Sequence, residues 1–145
     1  MTSVDHIGIA VAKLEEALPF WRDLLGLELV AIEVVASEKV RVAILRPKAG
    51  SALANGATRV ELLEPTAPDS PIAKHLEKRG PGIHHVAMKV DDVAARMRAL
   101  AAAGKPAMDA APRLGAGGCL VTFLHPKTAG GVLVELSQSA PAGGH

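Results

Sequence analysis

Aromatic residues and cysteine are scarce in this sequence. Aromatic side chains make up 2% of the 145 residues, with one Trp, two Phe and no Tyr, which disfavours the stacking surfaces that bind single-stranded nucleic acid. The single cysteine, Cys119, excludes a disulfide framework and a thiolate metal cluster, and it is typical of a protein kept in a reducing compartment. We therefore expect a cytoplasmic protein that folds without disulfides.

Long apolar runs and an excess of one charge are also missing. No run approaches the roughly 18 apolar residues of a membrane-spanning helix, and Met1–His6 lacks the basic and apolar segments of a secretory signal. The 16 basic and 15 acidic side chains give a net charge of +1, so neither a nucleic acid nor a membrane is expected as a partner. Hydrophobic residues make up 49% of the chain, which is enough for a folded core.

The chain repeats one pattern of secondary structure twice. Alternating strands begin near His6 and near His85, an amphipathic helix that ends at a glycine follows each strand, and three strand-like runs follow each helix. The predicted runs are residues 27–35, 40–46 and 59–64 in the first copy, and 105–109, 120–124 and 132–137 in the second. The sequence therefore predicts an α+β fold made of tandem βαβββ modules.

These modules are expected to form one domain over residues 1–145. Module 1 covers about residues 4–65, a connector helix about residues 69–80, and module 2 about residues 82–138.

Two features depart from regular secondary structure. Pro19 lies inside the first predicted helix, where a kink is expected. Residues 48–57 are more than a tight hairpin needs and predict a flexible loop.

Four polar residues stand in strands where apolar residues are expected. His6 and His85 occupy the same place in the two copies, while Glu61 and Glu135 each interrupt an apolar run and follow their histidine by 55 and 50 positions. A carboxylate buried alone is costly, so it must be protonated, paired or bound to a metal. Two imidazoles with two carboxylates suit Zn, Co, Mn, Ni or Fe(II) better than Mg or Ca. We interpret the four residues as candidate ligands of one divalent ion.

Simpler interpretations exist for single polar residues. Any one of the four candidate ligands, taken alone, fits a core or edge position. His84 has the opposite strand parity to its neighbour and is expected to face away and pack as a neutral ring. His75 is expected near the surface, and His125 either supports a site or belongs to a turn. Cys119 is interpreted as a small core or loop residue rather than a nucleophile, and the pair Asp91 and Asp92 as a helix cap rather than a catalytic pair.

The repeated units resemble the vicinal oxygen chelate superfamily, which includes the glyoxalases, and within it the methylmalonyl-CoA epimerase family. The resemblance runs from Asp5 to about Gln138. The motifs that carry it are DHIGIAV at 5–11, ELLEP at 61–65, DSPIAK at 69–74, GIHH at 82–85, LGAGG at 114–118, FLHPK at 123–127 and GGVLVEL at 130–136.

The resemblance implies a cupped, partly closed mixed sheet around a metal site. It implies that His6, His85 and Glu135 hold Co, Mn or Zn, with a Gln or Glu at the position of Glu61. The implied reaction is inversion of C2 of methylmalonyl-CoA, by removal of the C2 proton to give an enolate held on the metal and reprotonation on the opposite face. Members of the family are commonly homodimers and act in propionate metabolism, and we expect the same here.

One position departs from part of the family. Some members have a second glutamate where this chain has Val42, so the identity of the second proton carrier is open. Glu135 is our first catalytic candidate, and Glu61 is our hypothesis for the second.

The sequence does not identify the residues that contact CoA, although Lys74, Arg113 and Lys127 are candidates for contacts with its phosphates. Two other functions stay open, a glyoxalase-type lyase that acts on a glutathione hemithioacetal, and a non-catalytic small-molecule binding protein.

Overall fold

The computed structural model describes residues 2–52 and 56–140. The strands are β1 (Ser3–Ala10), β2 (Glu28–Val35), β3 (Val40–Arg46), β4 (Arg59–Pro65), β5 (Gly82–Lys89), β6 (Arg113–Leu114), β7 (Leu120–Leu124) and β8 (Val134–Gln138). The helices are α1 (Leu14–Leu18), which continues as a π-helical turn (Pro19–Leu24), α2 (Pro71–Arg79) and α3 (Val93–Ala102). None of the helices in these two ranges is long and apolar enough to cross a membrane.

The chain divides into two compact units. The first unit is His6–His84, and the second contains the first five residues together with the chain from His85 onward. In the first unit the strand order is β2-β3-β4-β1, with β1 parallel to β4 and the other pairs antiparallel. In the second unit the order is β5-β8-β7-β6, with β5 parallel to β8 and the other pairs antiparallel. The predicted tandem βαβββ plan is therefore confirmed.

Each helix packs its apolar side on the sheet of its own unit. In the first unit the buried cluster combines Leu14 and Leu18 of α1 with residues of β3 and β4, among them Leu45 and Leu62. The four-residue spacing of the two helix leucines places them on one face of α1. In the second unit the buried residues Val93 and Met97 of α3, also four apart, pack with residues of β7 and β8, Leu124 and Leu136. The helices thus cover one face of each sheet and leave the other for the polar residues.

The first helix changes its hydrogen bonding at Pro19, where the sequence predicted an interruption. Proline has no backbone N–H and its ring clashes with the carbonyl four residues earlier. From Pro19 onward the turn widens, and the N–H of Leu25 donates to the carbonyl of Phe20, five residues before it, at 2.9 Å. The helix therefore continues past Pro19 as a π-helical turn, and the spacing of the apolar residues does not reveal this change.

The first strand predicted after the second helix is wrong. Residues 105–109 form no strand, and β6 is instead the two-residue segment Arg113–Leu114. Pro106 cannot donate a ladder hydrogen bond, and the segment's backbone contact with β7 is one bond, from the N–H of Met108 to the carbonyl of Phe123 at 2.9 Å. The edge strand therefore starts only after the second proline, Pro112.

The long connection predicted in module 1 lies between β3 and β4. It covers residues 47–58, and its described part contains neither helix nor strand. Residues 53–55 lie outside the described residues, so the expected flexibility stays a prediction.

Ser70 caps the connector helix α2. Its side chain accepts a hydrogen bond from the N–H of Ile72 at 3.1 Å and donates one to the carbonyl of Glu38 at 3.2 Å. Pro71 occupies the first helical position and Gly80 ends the helix, as the asymmetry of helix ends favours. The cap thereby ties the connector to the segment between β2 and β3.

We expect Ser70→Ala to destabilise the fold. The substitution removes both hydrogen bonds of a fully buried hydroxyl, and loss of such a cap lowers the free energy of unfolding by about 1 to 2 kcal/mol. Urea unfolding followed by circular dichroism measures the change. Ser51→Ala, in an exposed loop, is the control and should stay within about 0.5 kcal/mol of the parent; equal stability of the two variants would contradict the prediction.

Candidate functional site

In the first unit, the face of β1 that points away from the helix carries a histidine. His6, Gly8 and Ala10 are buried on this face, while the alternate residues are only half-buried. The parallel register pairs Gly8 with Glu61 of β4. His6 Nδ1 lies 3.3 Å from Glu61 Oε2, and the two residues are 4% and 6% exposed. The sheet register therefore creates a buried imidazole–carboxylate pair.

The second unit repeats this arrangement in β5 and β8. His85 and Ala87 are the buried residues of the alternation, and the register pairs Ala87 with Glu135. His85 Nε2 lies 3.3 Å from Glu135 Oε1, and the two residues are 5% and 8% exposed. In both units the glutamate is paired with the residue two positions after the histidine. The histidine and glutamate are separated by 55 residues in one unit and by 50 in the other, yet they take equivalent places in the sheet.

The chemistry of these pairs fits a transition metal. Each pair presents one imidazole nitrogen and one carboxylate oxygen within a water-poor face of a sheet, and this donor combination suits Zn, Co, Mn or Fe(II). A carboxylate buried beside an imidazole also needs a cation or a proton to balance its charge. Each unit therefore contains a possible His/Glu ligand pair.

Phe123 is a site residue that the sequence analysis missed. It lies in β7 directly opposite Glu135, and its ring meets the His85 ring edge to face, with 5.6 Å between centroids and an interplanar angle of 84°. The ring fixes the orientation of the imidazole and shields it from water. The sequence predicted the strand at 120–124, but the pairing of Phe123 with Glu135 is visible only in the structure.

His84 faces away from the His/Glu pair, and it packs against His75 of α2. The two rings stand edge to face, with 5.0 Å between centroids and an angle of 79°. Burial, with a smaller contribution from the nearby His75, lowers the pKa of His84 to about 4. Burial also lowers the pKa of His75, which is half-buried. The prediction of a neutral, packed His84 is confirmed.

The remaining polar candidates have local structural roles. The Nδ1 of His125 accepts a hydrogen bond from the N–H of Lys127 at 3.1 Å, which makes His125 a turn residue. Asp92 caps α3 by accepting from the N–H of Ala95 at 3.0 Å. Cys119 is buried, as a small core residue would be.

Val42 lies at the position where some members of the family have a second glutamate, and it leaves the identity of the second proton carrier open. It is 2% exposed and lies in the middle of the first sheet, paired with Glu33 on one side and Leu63 on the other. Paired residues of antiparallel strands share a face, and Val42 is two positions from Ile44, which is paired with Glu61. On the His/Glu face of the first unit, the position itself therefore carries an apolar side chain, with the carboxylate of Glu33 on the neighbouring strand.

Comparison with known proteins places the chain in a family. The family model of the Glyoxalase/Bleomycin resistance protein/Dioxygenase superfamily matches residues 5–123. The ethylmalonyl-CoA/methylmalonyl-CoA epimerase of Cereibacter sphaeroides is 40% identical over 137 residues, which cover 93% of this chain and 96% of that protein. The chain belongs to the methylmalonyl-CoA epimerase family. The predicted family and enzyme class are thereby confirmed.

Other members of the epimerase family agree in sequence and in fold. The mitochondrial methylmalonyl-CoA epimerase of Mus musculus is 36% identical over 137 residues, which cover 94% of this chain and 72% of that protein. A crystal structure of the Streptomyces coelicolor methylmalonyl-CoA epimerase in complex with 2-nitronate-propionyl-CoA matches with a TM-score of 0.88 at 40% identity, and covers 97% of this chain and 96% of that one. The predicted vicinal oxygen chelate fold is confirmed by this likeness.

Proposed function

We propose that this protein is a metal-dependent epimerase that inverts C2 of methylmalonyl-CoA. The observation that carries the proposal is the equivalent pair of buried imidazole–carboxylate contacts, each 3.3 Å long, in the two repeated units. Relatives that cover nearly the whole chain are named for this substrate, and a solved relative holds methylmalonyl-CoA itself.

In this proposal His6, Glu61, His85 and Glu135 hold one divalent ion. While both glutamates are ionised, the two neutral imidazoles and two carboxylates contribute a charge of −2, which balances a divalent cation, and their donor atoms favour Co, Mn or Zn. When bound, the ion supplies a Lewis acid that stabilises negative charge developing on the acyl oxygens.

The side chains of the site move the proton. The C2 hydrogen of the substrate lies between a carboxylate and a thioester carbonyl, so the electron pair left by its removal is delocalised as an enolate. Glu135 takes the proton as general base, and the C2–H bond breaks. Glu61, which takes up a proton from solvent before this step, delivers it to the opposite face, where a new C2–H bond forms with inverted configuration. Glu135 then releases the proton it removed to solvent, which restores the starting state. The buried surroundings of both carboxylates exclude water that would compete for the enolate.

Proton NMR in D₂O tests the proposed activity. With Co(II) and methylmalonyl-CoA, the C2 hydrogen should exchange for deuterium and each pure epimer should become a mixture of the two. A parallel assay with methylglyoxal and glutathione tests the lyase alternative. Exchange without lyase activity supports the proposal; lyase activity without exchange, or tight binding of methylmalonyl-CoA with neither reaction, contradicts it.

Glu61→Gln tests the assignment of the second proton carrier. Glutamine keeps the size of the side chain but cannot carry the proton, and loss of a general acid or base slows a reaction by about 10²–10⁴-fold. We therefore expect turnover to fall in that range, measured together with the metal content of the same sample. Near-normal turnover with normal metal content would show that Glu61 is not the second carrier.

The remaining proposals concern the compartment, the oligomeric state and the metabolic role of the protein. We propose that it is a cytoplasmic homodimer that acts in propionate metabolism. Phe20 and Leu24 of the π-helical turn and Leu25 directly after it are exposed apolar side chains, and exposed apolar surface is typical of subunit interfaces. Analytical ultracentrifugation measures the state, and a mass of 15.0 kDa in solution would contradict the dimer.

A further inference from the structure

Arg113 holds its guanidinium over an aromatic ring. The side chain belongs to the two-residue strand β6, where Arg113 is paired with Val121 of β7. Its guanidinium carbon lies 5.8 Å from the centroid of the Phe123 ring. Since Val121 and Phe123 are two positions apart, Arg113 projects from the same face of the sheet as Phe123 and its partner Glu135.

A second contact fixes the direction of this side chain. Arg113 Nε lies 3.1 Å from Asp109 Oδ1, and the other oxygen of Asp109 accepts a hydrogen bond from the fully buried hydroxyl of Thr122 at 3.0 Å. An arginine held by a ring and by an anchored carboxylate loses little conformational freedom when it binds a further group. The side chain is therefore preorganised, although it is about one-third exposed.

Phe123 links the basic side chain to the second His/Glu pair. Its ring lies 5.8 Å from the guanidinium carbon of Arg113 and 5.6 Å from the centroid of the His85 ring. An anion drawn to Arg113 would thus lie along the face that carries His85 and Glu135.

The equivalent position in the first unit carries the opposite charge. Glu33 of β2 is paired with Val42, as Arg113 is paired with Val121. The two units therefore share the same strand register, but this position is acidic in the first unit and basic in the second. The fold does not require a positive charge here, and Arg113 makes the second unit the one that attracts anionic groups.

We propose that Arg113 binds an oxyanion of the acyl-CoA substrate, and so acts as a specificity residue. This inference rests on the proposed function, because that substrate has anionic oxygens at two places, the acyl carboxylate and the phosphates of CoA. The planar guanidinium matches either group through paired N–H donors. Asp109 is the positioning residue that aims it.

The test compares Arg113→Met, Arg113→Lys and a control. Methionine keeps the contact with Phe123 without the charge, and Arg98→Gln removes a positive charge from an exposed position of α3. Calorimetry measures the Kd of three ligands for each Co(II)-loaded protein: methylmalonyl-CoA, isobutyryl-CoA without the acyl carboxylate, and methylmalonyl-pantetheine without the CoA phosphates. We expect Arg113→Met to raise Kd and KM for methylmalonyl-CoA about 10- to 100-fold with kcat little changed, Arg113→Lys to lie between, and Arg98→Gln to match the parent.

The three ligands separate the sources of the oxyanion. If the affinity for isobutyryl-CoA is unchanged, Arg113 binds the acyl carboxylate; if only methylmalonyl-pantetheine is unaffected, it binds a phosphate. No loss of affinity in Arg113→Met, or an equal loss for all three ligands, overturns the inference. Failure of the parent protein to exchange the C2 hydrogen would instead overturn the proposed function, and it is measured without any variant.

Discussion

Replacing Glu135 by glutamine should reduce exchange of the C2 hydrogen by at least about 10²-fold, and up to about 10⁴-fold, the range that a positioned general base contributes. The side chain keeps its volume in a buried strand position, so the fold should tolerate the change. What is lost is the carboxylate that we propose as the base, which lies 3.3 Å from His85 Nε2. The NMR exchange rate with each epimer is the measurement, reported per bound metal ion.

The matched control is Glu77→Gln, since Glu77 is an exposed residue of α2. This variant should exchange the C2 hydrogen at the parental rate and melt at the parental temperature. If Glu135→Gln also keeps the parental rate while its metal content is normal, Glu135 is not the base. If it loses its secondary structure by circular dichroism, Glu135→Asp supplies a second test, because a shortened carboxylate should retain part of the exchange.

His6→Ala and His85→Ala should each weaken metal binding strongly. Loss of a residue that merely orients a ligand typically costs 10- to 100-fold in affinity, so loss of a direct ligand should cost at least about 100-fold. Both histidines are almost completely buried beside a carboxylate, and alanine leaves that carboxylate without its imidazole. Competition of each variant with a coloured chelator for Co(II) measures the affinity.

The control for the histidine variants is His125→Ala, an exposed turn residue. It should bind Co(II) as the parent does. Unchanged affinity in either His6→Ala or His85→Ala would remove that histidine from the ligand set and leave the remaining unit to hold the ion alone.

The sequence predicted the repeated plan because two independent signals agreed. Periodicity marked the helices and strands, and polar residues at matching places in the copies marked His6, His85, Glu61 and Glu135. Strand parity is enough to assign such residues to a face, since alternation is a local property of the chain. The 3.3 Å contacts within each pair follow from that assignment once β1 and β5 lie parallel to the last strand of their units.

Other features depended on information that is not local. The two-residue strand β6 was misplaced because the ladder partner of an edge strand, not its composition, decides where pairing begins. The place of Arg113 over Phe123 follows from that register, so the sequence offered Arg113 only as one basic residue among several. The partner of Val42, Glu33, is likewise visible only after β2 and β3 are paired.

The most direct test of the central claim is the stoichiometry of Co(II) binding. Each unit has its own His/Glu pair, so the chain could hold one shared ion or two separate ones. Titration of the parent protein by calorimetry, with the endpoint checked by elemental analysis, should give one tightly bound ion per chain. Two equivalent ions per chain, or none, would contradict an account in which both pairs serve a single metal.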